Sequence, residues 1–297
     1  MQDRQQHQQE VLTFLQTHFS SRHWEFSLPK MGTGHETYFA CGNGHNYFIK
    51  LGVQIARYEA MSSLSLTPQV LASGYLEDGT SLVVQPCIAG RIPTRKDYRL
   101  YLEPIAGTIN KMHQSLELQS VLPAASSELY KDVGLEAVNR LQQRWEHYKA
   151  QVPGVAELVD ESLALLARQV HSFRGAGLVA SHNDICNANW LISSGGQIYL
   201  VDLELMSLDD PACDIGATLW WYYPPELRHR FLEIVGHADD EQFQLRMQVR
   251  MALHCLAIML PRAQSYDEFD PASFAGDLTD FKAIVSGKEN PQGYADT

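Results

Sequence analysis

The sequence predicts an α+β protein with a small antiparallel sheet near its start and a larger, mainly helical region after it. Short apolar runs separated by Gly- and Asn-containing turns fill roughly the first 90 residues, which is typical of β-hairpins. Beyond residue 90, apolar residues mostly recur at helical spacing. We therefore predict two domains, residues 1–90 with a five-stranded antiparallel sheet and one helix packed with it, and residues 91–297, mainly helical.

The elements of the first domain follow from these patterns. Val11, Phe14, Leu15 and Phe19 share one face of an amphipathic helix. Tight turns are predicted at residues 42–45 and 78–79, where glycine follows or flanks Asn or Asp. The five predicted strands are Trp24–Leu28, Thr37–Cys41, Tyr47–Leu51, Gln69–Gly74 and Thr80–Cys87.

Two features of this domain suggest phosphate binding. The loop of residues 31–36 contains Gly32 and Gly34, and glycine lets backbone N–H groups approach a phosphate because it has no Cβ. An ordinary hairpin turn is the alternative. Lys50 lies at the end of an apolar strand, where an unpaired buried charge is costly, so it needs an anionic partner. The alternative is an edge lysine whose ammonium group reaches solvent.

The second domain is predicted as a series of helices with a loop at residues 119–130. His113, near the end of the first helix, is predicted to be a packed core histidine. The predicted helices before the central stretch are Tyr98–Leu116, Leu135–Tyr148 and Val155–Phe173, and those after it are Glu226–Val235, Glu241–Leu260 and Pro271–Val285.

The stretch from Ser181 to Glu204 carries most of the candidate chemistry. A short strand ends at His182, and residues 190–192 and 198–201 form a hairpin. Asn189 and Asp202 offer oxygen ligands of the kind that Mg²⁺ prefers, and Asp184 can accept a proton from an attacking hydroxyl. The alternative is that these are ordinary turn residues after a strand.

The pattern His182-Asn183-Asp184 with Asn189 five residues later, followed by Asp202-Leu203-Glu204, resembles the aminoglycoside phosphotransferase and choline kinase family of small-molecule kinases. The resemblance covers about residues 30–260. It implies a protein-kinase-like fold of two lobes, with ATP or GTP as phosphoryl donor and Mg²⁺ as cofactor.

The resemblance also implies roles for individual residues. Asp184 is the catalytic base, Asn189 and Asp202 are the metal ligands, and Lys50 holds the phosphates in an ion pair with Glu59. The hinge after Pro86 contacts adenine through Cys87 or Ile88. Supporting roles fall to His182, to Glu204 through a metal-bound water or as a brace, and to Asp214, which holds the catalytic loop by accepting backbone hydrogen bonds.

The predicted reaction transfers the γ-phosphoryl of ATP or GTP to a hydroxyl of a small, amine-bearing acceptor such as an aminoglycoside or a choline-like compound. An aromatic face and nearby carboxylates suit a cation. The predicted acceptor residues are Trp220, Trp221, Tyr222, Asp267 and Glu268. Core packing and a solvated acidic surface are the alternative explanation of these residues.

Other functions stay open. A kinase of a neutral sugar or nucleoside, or a metal-dependent phosphohydrolase, would use similar groups. A nucleotide-binding pseudokinase or regulatory module would keep the fold with a defective site, and the intact Lys50, Asp184, Asn189 and Asp202 argue against it.

Composition excludes several classes of partner. The net charge of −12 over 297 residues argues against nucleic acid or an anionic membrane. Five cysteines without C-x-x-C spacing suggest reduced thiols. The first ten residues do not resemble a secretory signal, so we expect a cytoplasmic enzyme. The sequence leaves the oligomeric state undetermined.

Overall fold

The computed structural model describes residues 2–21, 23–28, 36–261 and 269–294, with the backbone alone for residues 2–4, 276 and 277. The chain divides into two compact units. The first comprises Met1–Ile92, Leu116–Val121 and Ala188–Leu205. The second comprises Pro93–Ser115, Leu122–Asn187 and Met206–Thr297.

The described residues form both strands and helices. The strands are β1 Glu25–Ser27, β2 Thr37–Gly42, β3 His45–Leu51, β4 Ala72–Tyr75, β5 Ser81–Pro86, β6 Gly90–Arg91, β7 Val179–Ser181, β8 Trp190–Ser193, β9 Ile198–Leu200 and β10 Ser207–Asp209. The α-helices are α1 Gln2–His18, α2 Ile55–Ser63, α3 Arg95–Leu100, α4 Leu102–His113, α5 Leu116–Val121, α6 Tyr130–Tyr148, α7 Pro153–Val170, α8 Ala212–Tyr222, α9 Pro225–Val235, α10 Glu241–Met259 and α11 Pro271–Val285.

The predicted five-stranded antiparallel sheet is confirmed in the first unit, in the order β1-β2-β3-β5-β4. The β2–β3 hairpin turns at Asn43 and Gly44, which both have positive φ (51° and 76°), as a two-residue turn between twisted strands requires. Its register pairs Gly42 with His45 and Thr37 with Lys50. This register fixes the face of the sheet on which each side chain lies.

Strand alternation gives the sheet two chemically different faces. One face carries buried apolar residues such as Tyr38, Ile49 and Leu82, which pack with Val11 and Leu15 of α1 in a single core cluster. The other face carries Phe39 of β2, Phe48 and Lys50 of β3, and Gln85 of β5, all of which line a cavity. The sheet therefore separates a structural core from the candidate nucleotide pocket.

A small second sheet completes the first unit. β8 and β9 form the predicted antiparallel hairpin, with Trp190 opposite Leu200, and β6 pairs with β8. The hairpin ends at two candidate site residues, since Asn189 precedes β8 and Asp202 follows β9 closely. The Val201 N–H donates to the Asn189 carbonyl oxygen at 2.9 Å, so the two chain segments stay paired up to the site.

The second unit is mainly helical. Its core joins side chains from α6, α7, α8, α10 and α11, including Trp145, Trp220, Phe274 and Phe281. β7 and β10 pair antiparallel, with Ser181 opposite Ser207. Of the helices in the described ranges, none is both long and apolar enough to cross a membrane.

The predicted helix Tyr98–Leu116 is wrong in its extent. It is two helices, α3 and α4, that meet at Tyr101. Leu116 instead begins α5, whose last three residues fall in the segment predicted as loop. Pro104 explains the break, because inside a continuous helix its ring would clash with the carbonyl of residue 100. In the first turn of α4 the missing N–H costs nothing. A capping box between Thr94 and Asp97 starts α3 earlier than predicted.

Candidate functional site

The predicted site residues divide between the two units. Lys50, Glu59, Cys87, Ile88, Asn189, Asp202 and Glu204 belong to the first unit; His182, Asp184, Asp214, Trp220, Trp221 and Tyr222 belong to the second. Gly32 and Gly34 of the predicted glycine-rich loop, and Asp267 and Glu268 of the predicted acceptor pocket, lie outside the described residues.

Lys50 lies on β3, an inner strand of the sheet, and its side chain is only 10% exposed. Its Nζ is 2.6 Å from Asp202 Oδ1 and 2.8 Å from Glu204 Oε2. A buried ammonium group is tolerated only when it is paired, and here two carboxylates pair it. The anionic partner that the sequence required is therefore supplied by the segment after β9.

The predicted ion pair between Lys50 and Glu59 is wrong. Glu59 is exposed on α2 and accepts a hydrogen bond from Ser73 Oγ at 2.7 Å. The buried face of α2 carries Arg57 and Tyr58 instead. One residue is a rotation of about 100° around a helix, so burying Tyr58 turns Glu59 away.

Arg57 and Tyr58 contact the segment that carries the two acids. Arg57 Nη1 donates to the carbonyl oxygens of Leu203 at 2.7 Å and Glu204 at 2.9 Å. Tyr58 donates its hydroxyl to Glu204 Oε1 at 2.8 Å. Burial, and then the Glu204 carboxylate, raise the pKa of Tyr58 well above its usual value, so the phenol stays neutral and donates. Sequence reasoning missed both contacts, because nothing local marks Tyr58 as a partner of Glu204.

Asn189 and Asp202 stand at the open end of the β8–β9 hairpin. The Asn189 side chain is buried, whereas that of Asp202 is 52% exposed. Asp202 adopts a left-handed backbone conformation (φ 63°), which is uncommon for a residue other than glycine and often marks a functional position. Two oxygen donors at one hairpin end fit Mg²⁺, which usually takes one or two protein ligands and completes its shell with phosphates and water.

That ligand set is small. Among the described residues, no group of three or more His, Cys, Asp or Glu side chains is arranged to hold a metal ion.

A cavity of about 320 Å³ opens on the Lys50 face of the sheet. Its lining is largely apolar, and its two charged residues are Lys50 and Asp202. Strand, hinge and hairpin residues all contribute to it: Phe39, Phe48, Lys50, Tyr58, Thr67, Pro68, Gln85, Pro86, Cys87, Ile88, Leu191, Val201 and Asp202. Apolar walls with a few charged groups are typical of a ligand pocket.

The two predicted hinge residues differ in what they can donate. Both line the cavity, but the Cys87 N–H already donates to the Asn46 carbonyl oxygen at 2.8 Å and extends the β3–β5 ladder. For Ile88 no hydrogen bond from the N–H is found among the described residues. Ile88 is therefore the hinge residue with a backbone donor left for a base.

In the second unit, Asp214 holds the backbone just before Asp184. The Asp214 carboxylate accepts from the His182 N–H at 2.8 Å and the Asn183 N–H at 2.9 Å, and contacts His113 Nε2 at 3.0 Å. Burial opposes a charge here, but hydrogen bonding and the nearby His113 and His182 outweigh it and lower the pKa of Asp214. His113 is buried, as predicted for a core histidine, and takes part in this network.

Asn183 stabilises the same turn. Its φ of 61° is left-handed, a conformation that asparagine tolerates better than most residues. Its side chain accepts from Ser181 Oγ at 3.2 Å and donates to Ser207 Oγ at 2.8 Å, which joins the turn to both strands of the β7–β10 pair. Asp184 follows directly and is half-buried.

Two buried ion pairs anchor the start of α8. Arg246 Nε lies 2.9 Å from Asp210 Oδ2, and Arg250 Nη2 lies 2.6 Å from Asp209 Oδ2. Both arginines project from α10, four residues apart and thus on one helix face. Sequence reasoning missed these pairs. The available signal was two arginines four residues apart, interspersed with apolar residues that recur at helical spacing in α10.

The three aromatic residues predicted to line an acceptor pocket have different environments. Trp220 is 6% exposed and packs in the helical core, but it also lines a cavity of about 380 Å³ within the second unit, so its acceptor role stays a prediction. Trp221 packs partly against the same core. Tyr222 accepts a hydrogen bond from the Asn187 N–H at 2.7 Å and stacks on Tyr98 with ring centroids 4.2 Å apart. Tyr222 thus contacts the stretch that carries Asp184.

Comparison with solved structures shows the same fold in small-molecule kinases. Spectinomycin phosphotransferase, solved with ADP and spectinomycin, has a TM-score of 0.64 at 14% identity, covering 94% of this chain and 96% of that chain. Ethanolamine kinase from Plasmodium vivax has 0.62 at 16% identity, covering 89% and 84%. Choline kinase LicA from Streptococcus pneumoniae has 0.61 at 15% identity, covering 95% and 99%.

The sequence itself also matches a family model. Residues 50–251, more than half of the chain, match the model described as the phosphotransferase enzyme family. That range includes Lys50, Asp184, Asn189, Asp202 and Asp214. The chain therefore belongs to the phosphotransferase enzyme family and has its protein-kinase-like fold.

Proposed function

We propose that the protein transfers the γ-phosphoryl group of ATP or GTP to a hydroxyl of a small, amine-bearing molecule. The observation that carries this proposal is the cavity on the first unit, whose lining combines apolar walls with Lys50 and Asp202. A purine base fits apolar walls, and a polyphosphate needs a fixed cation, which Lys50 provides.

The donor nucleotide is held by the first unit. Phe39 and Phe48, with ring centroids 5.5 Å apart, and Leu191 supply apolar surface for the base. The Ile88 N–H donates to the base edge, and Lys50 contacts phosphate oxygens. The spectinomycin phosphotransferase of similar fold was solved with ADP, which supports a nucleotide in this role.

Asn189 and Asp202 would hold Mg²⁺ together with the phosphates. When bound, the ion neutralises charge on the transferring phosphoryl group. The exposed carboxylate of Asp202 suits this role, because it is accessible to a ligand while Asn189 is held at the hairpin end.

Asp184 orients the acceptor hydroxyl and accepts its proton. Asp214 fixes the two backbone N–H groups immediately before Asp184, and its lowered pKa keeps it ionised for that purpose. Catalysis then comes mainly from positioning and charge neutralisation, as in other phosphoryl transfers.

The acceptor is proposed to carry an amine. Tyr222 offers an aromatic ring next to the backbone of Asn187, and the chain is strongly acidic. The fold is shared with an ethanolamine kinase and a choline kinase, which supports a cationic acceptor. The five cysteines all lie in the described part of the chain and none is in a disulfide bond there, which together with a nucleotide donor supports a cytoplasmic site of action.

The test is an acceptor screen with the purified protein. We expect release of ADP or GDP from Mg-ATP or Mg-GTP to depend on an added amine-bearing alcohol, with phosphorylated product detected by mass spectrometry. The panel should pair each amine with a neutral sugar or nucleoside of similar size. Nucleotide hydrolysis that is equally fast without acceptor would indicate a phosphohydrolase, and nucleotide binding without turnover would indicate a pseudokinase.

A further inference from the structure

We propose that Glu204, and not the helix residue Glu59, positions Lys50 for contact with the nucleotide phosphates, and that Tyr58 holds Glu204 for this task. The inference rests on the proposed function, since it concerns the lysine of the same nucleotide site. It assigns Glu204 as a positioning residue that acts through Lys50.

The Glu204 carboxylate lies between Lys50 and Tyr58. Its Oε2 lies 2.8 Å from Lys50 Nζ, and its Oε1 accepts the Tyr58 hydroxyl at 2.8 Å. The Glu204 side chain is 17% exposed, against 52% for Asp202. Glu204 Oε1 therefore accepts a hydrogen bond from Tyr58, and the buried Oε2 lies in ion-pair contact with Lys50. The hydrogen bond of Lys50 Nζ itself goes to Asp202 Oδ1.

Asp202 has a competing task in the proposed mechanism. Asp202 Oδ1 also contacts Lys50, but Asp202 is the exposed carboxylate that is assigned to the metal. A carboxylate shared with a divalent cation neutralises a neighbouring ammonium group poorly. Lys50 is buried and needs a partner that stays in place when nucleotide binds, and Glu204 meets that need.

The backbone of Glu204 is anchored to helix α2. Arg57, itself buried, donates from one nitrogen to the carbonyl oxygens of Leu203 and Glu204. Helix α2 therefore holds Glu204 twice, by Arg57 at the backbone and by Tyr58 at the side chain. Charge-assisted hydrogen bonds of this kind are among the stronger ones in proteins.

Helix α2 carries the hydrogen-bond donor, and the short 3-10 helix after β9 carries the acid. Tyr58 turns to the inside of α2 and Glu59 to the outside, where it bonds to Ser73. A phenol cannot neutralise Lys50, but it can orient the carboxylate that does. The acid of the ion pair comes from the segment after β9.

A double-mutant cycle tests the inference. Lys50→Met, Glu204→Gln and the double variant are compared by calorimetric titration with ADP, without Mg²⁺ and with it. Loss of one charge-assisted contact is expected to weaken ADP binding roughly tenfold. Glu204→Gln should do so in both conditions, and in the Lys50→Met background it should add little, because it acts through Lys50. Binding of adenosine, which has no phosphate, should stay the same.

Two further variants sharpen the test. Glu59→Gln removes a carboxylate charge from α2, one position after Tyr58, and should bind ADP like the wild-type protein. Tyr58→Phe keeps the ring but removes the donor, and should weaken ADP binding less than Glu204→Gln does. Circular dichroism melts show which variants are folded, and Tyr58→Phe keeps the cycle informative if Glu204→Gln unfolds.

Several outcomes would overturn the assignment. A Glu204→Gln effect that requires Mg²⁺ and persists in the Lys50→Met background would place Glu204 at the metal. A loss of thermal stability with unchanged ADP affinity would make Glu204 a brace only, and weakened binding in Glu59→Gln would restore the helix glutamate. Wild-type protein that binds no nucleotide would refute the proposed function as well, whereas additive variants in a nucleotide-binding protein would refute this inference alone.

Discussion

Replacing Asp214 by asparagine should weaken the hydrogen bonds that hold the turn before Asp184 and leave the rest of the fold in place. Asp214 is 1% exposed and accepts from His182 N–H, Asn183 N–H and the His113 ring. Asparagine has the same shape but one acceptor oxygen. If that oxygen keeps the two contacts of Oδ2, the amide NH₂ faces the Asn183 N–H, and two donors meet.

The expected cost follows from this geometry. One buried donor left without an acceptor costs about 1–3 kcal/mol, and the remaining two bonds lose the strengthening of a charged acceptor. We expect the free energy of unfolding to fall by about 2–4 kcal/mol. The turn before Asp184 would also shift, so kcat should fall together with stability.

The pH dependence adds a second readout. The pKa of Asp214 is lowered in the folded state, so its ionisation stabilises the fold above its unfolded pKa of about 3.9. This stabilisation is lost as the pH falls through the lower folded-state pKa. The stability gap between wild type and Asp214→Asn should therefore be constant near neutral pH and shrink below about pH 4.

Urea unfolding followed by circular dichroism measures the gap at each pH, and a coupled ADP-release assay measures kcat. Asp239→Asn, at an exposed position of the same unit, is the matched control and should leave stability unchanged within about 0.5 kcal/mol. A variant at position 214 as stable as that control, with unchanged kcat, would refute the reasoning.

Four other predictions follow from the site and the core. Asp184→Asn should lower kcat about a hundredfold or more while the KM for nucleotide stays within a few-fold, and unchanged kcat would remove Asp184 from the mechanism. Asp202→Ala should abolish Mg-dependent turnover with the circular dichroism spectrum retained; turnover at the wild-type Mg²⁺ optimum would place the metal elsewhere. Trp220→Ala should lower the free energy of unfolding measured in urea by about 3–5 kcal/mol, as truncation of a core residue does, and a near-zero change would contradict its packing in the core. The KM for an amine-bearing acceptor should rise with ionic strength more than the KM for nucleotide does, and a neutral best acceptor with a salt-independent KM would contradict this.

The sheet and the hairpins could be predicted because their signals are local. The Asn43-Gly44 turn fixes the β2–β3 register, and with it the face on which Lys50 lies. The β8–β9 hairpin could also be predicted, because two apolar runs flank a short polar turn. The break at Tyr101 also had a local signal in Pro104, which the apolar periodicity of the surrounding helix obscured.

The partner of Lys50 could not be predicted in the same way. The choice between Glu59 and the acids after β9 depends on the rotation of α2, a helix of nine residues. Over so few residues, apolar periodicity does not show whether Tyr58 or Glu59 is on the buried face, although the two side chains point about 100° apart around the helix. Glu204 is more than 150 positions away from Lys50 in the sequence, and nothing short of the folded chain brings them together.

The aromatic run of α8 shows the same limit for side-chain environment. Trp220 and Tyr222 are two positions apart and chemically alike, yet the first packs in the helical core and the second hydrogen-bonds to Asn187. Composition predicts that such residues are buried or bind ligands, but the helix face decides which. That face is set by Asp214 at the start of α8 and by the Asp209 and Asp210 ion pairs before it.

The two left-handed residues at the site connect the fold to the chemistry. Asn183 and Asp202 each hold a backbone conformation that costs on the order of 1–3 kcal/mol for residues other than glycine. Glycine would remove that strain, but it would also remove the bonds of Asn183 to Ser181 and Ser207 and the contact of Asp202 with Lys50. At both positions a side chain other than glycine therefore occupies a strained backbone conformation. The side-chain contacts of Asn183 and of Asp202 outweigh the local backbone preference and fix the turn before Asp184 and the acid beside Lys50.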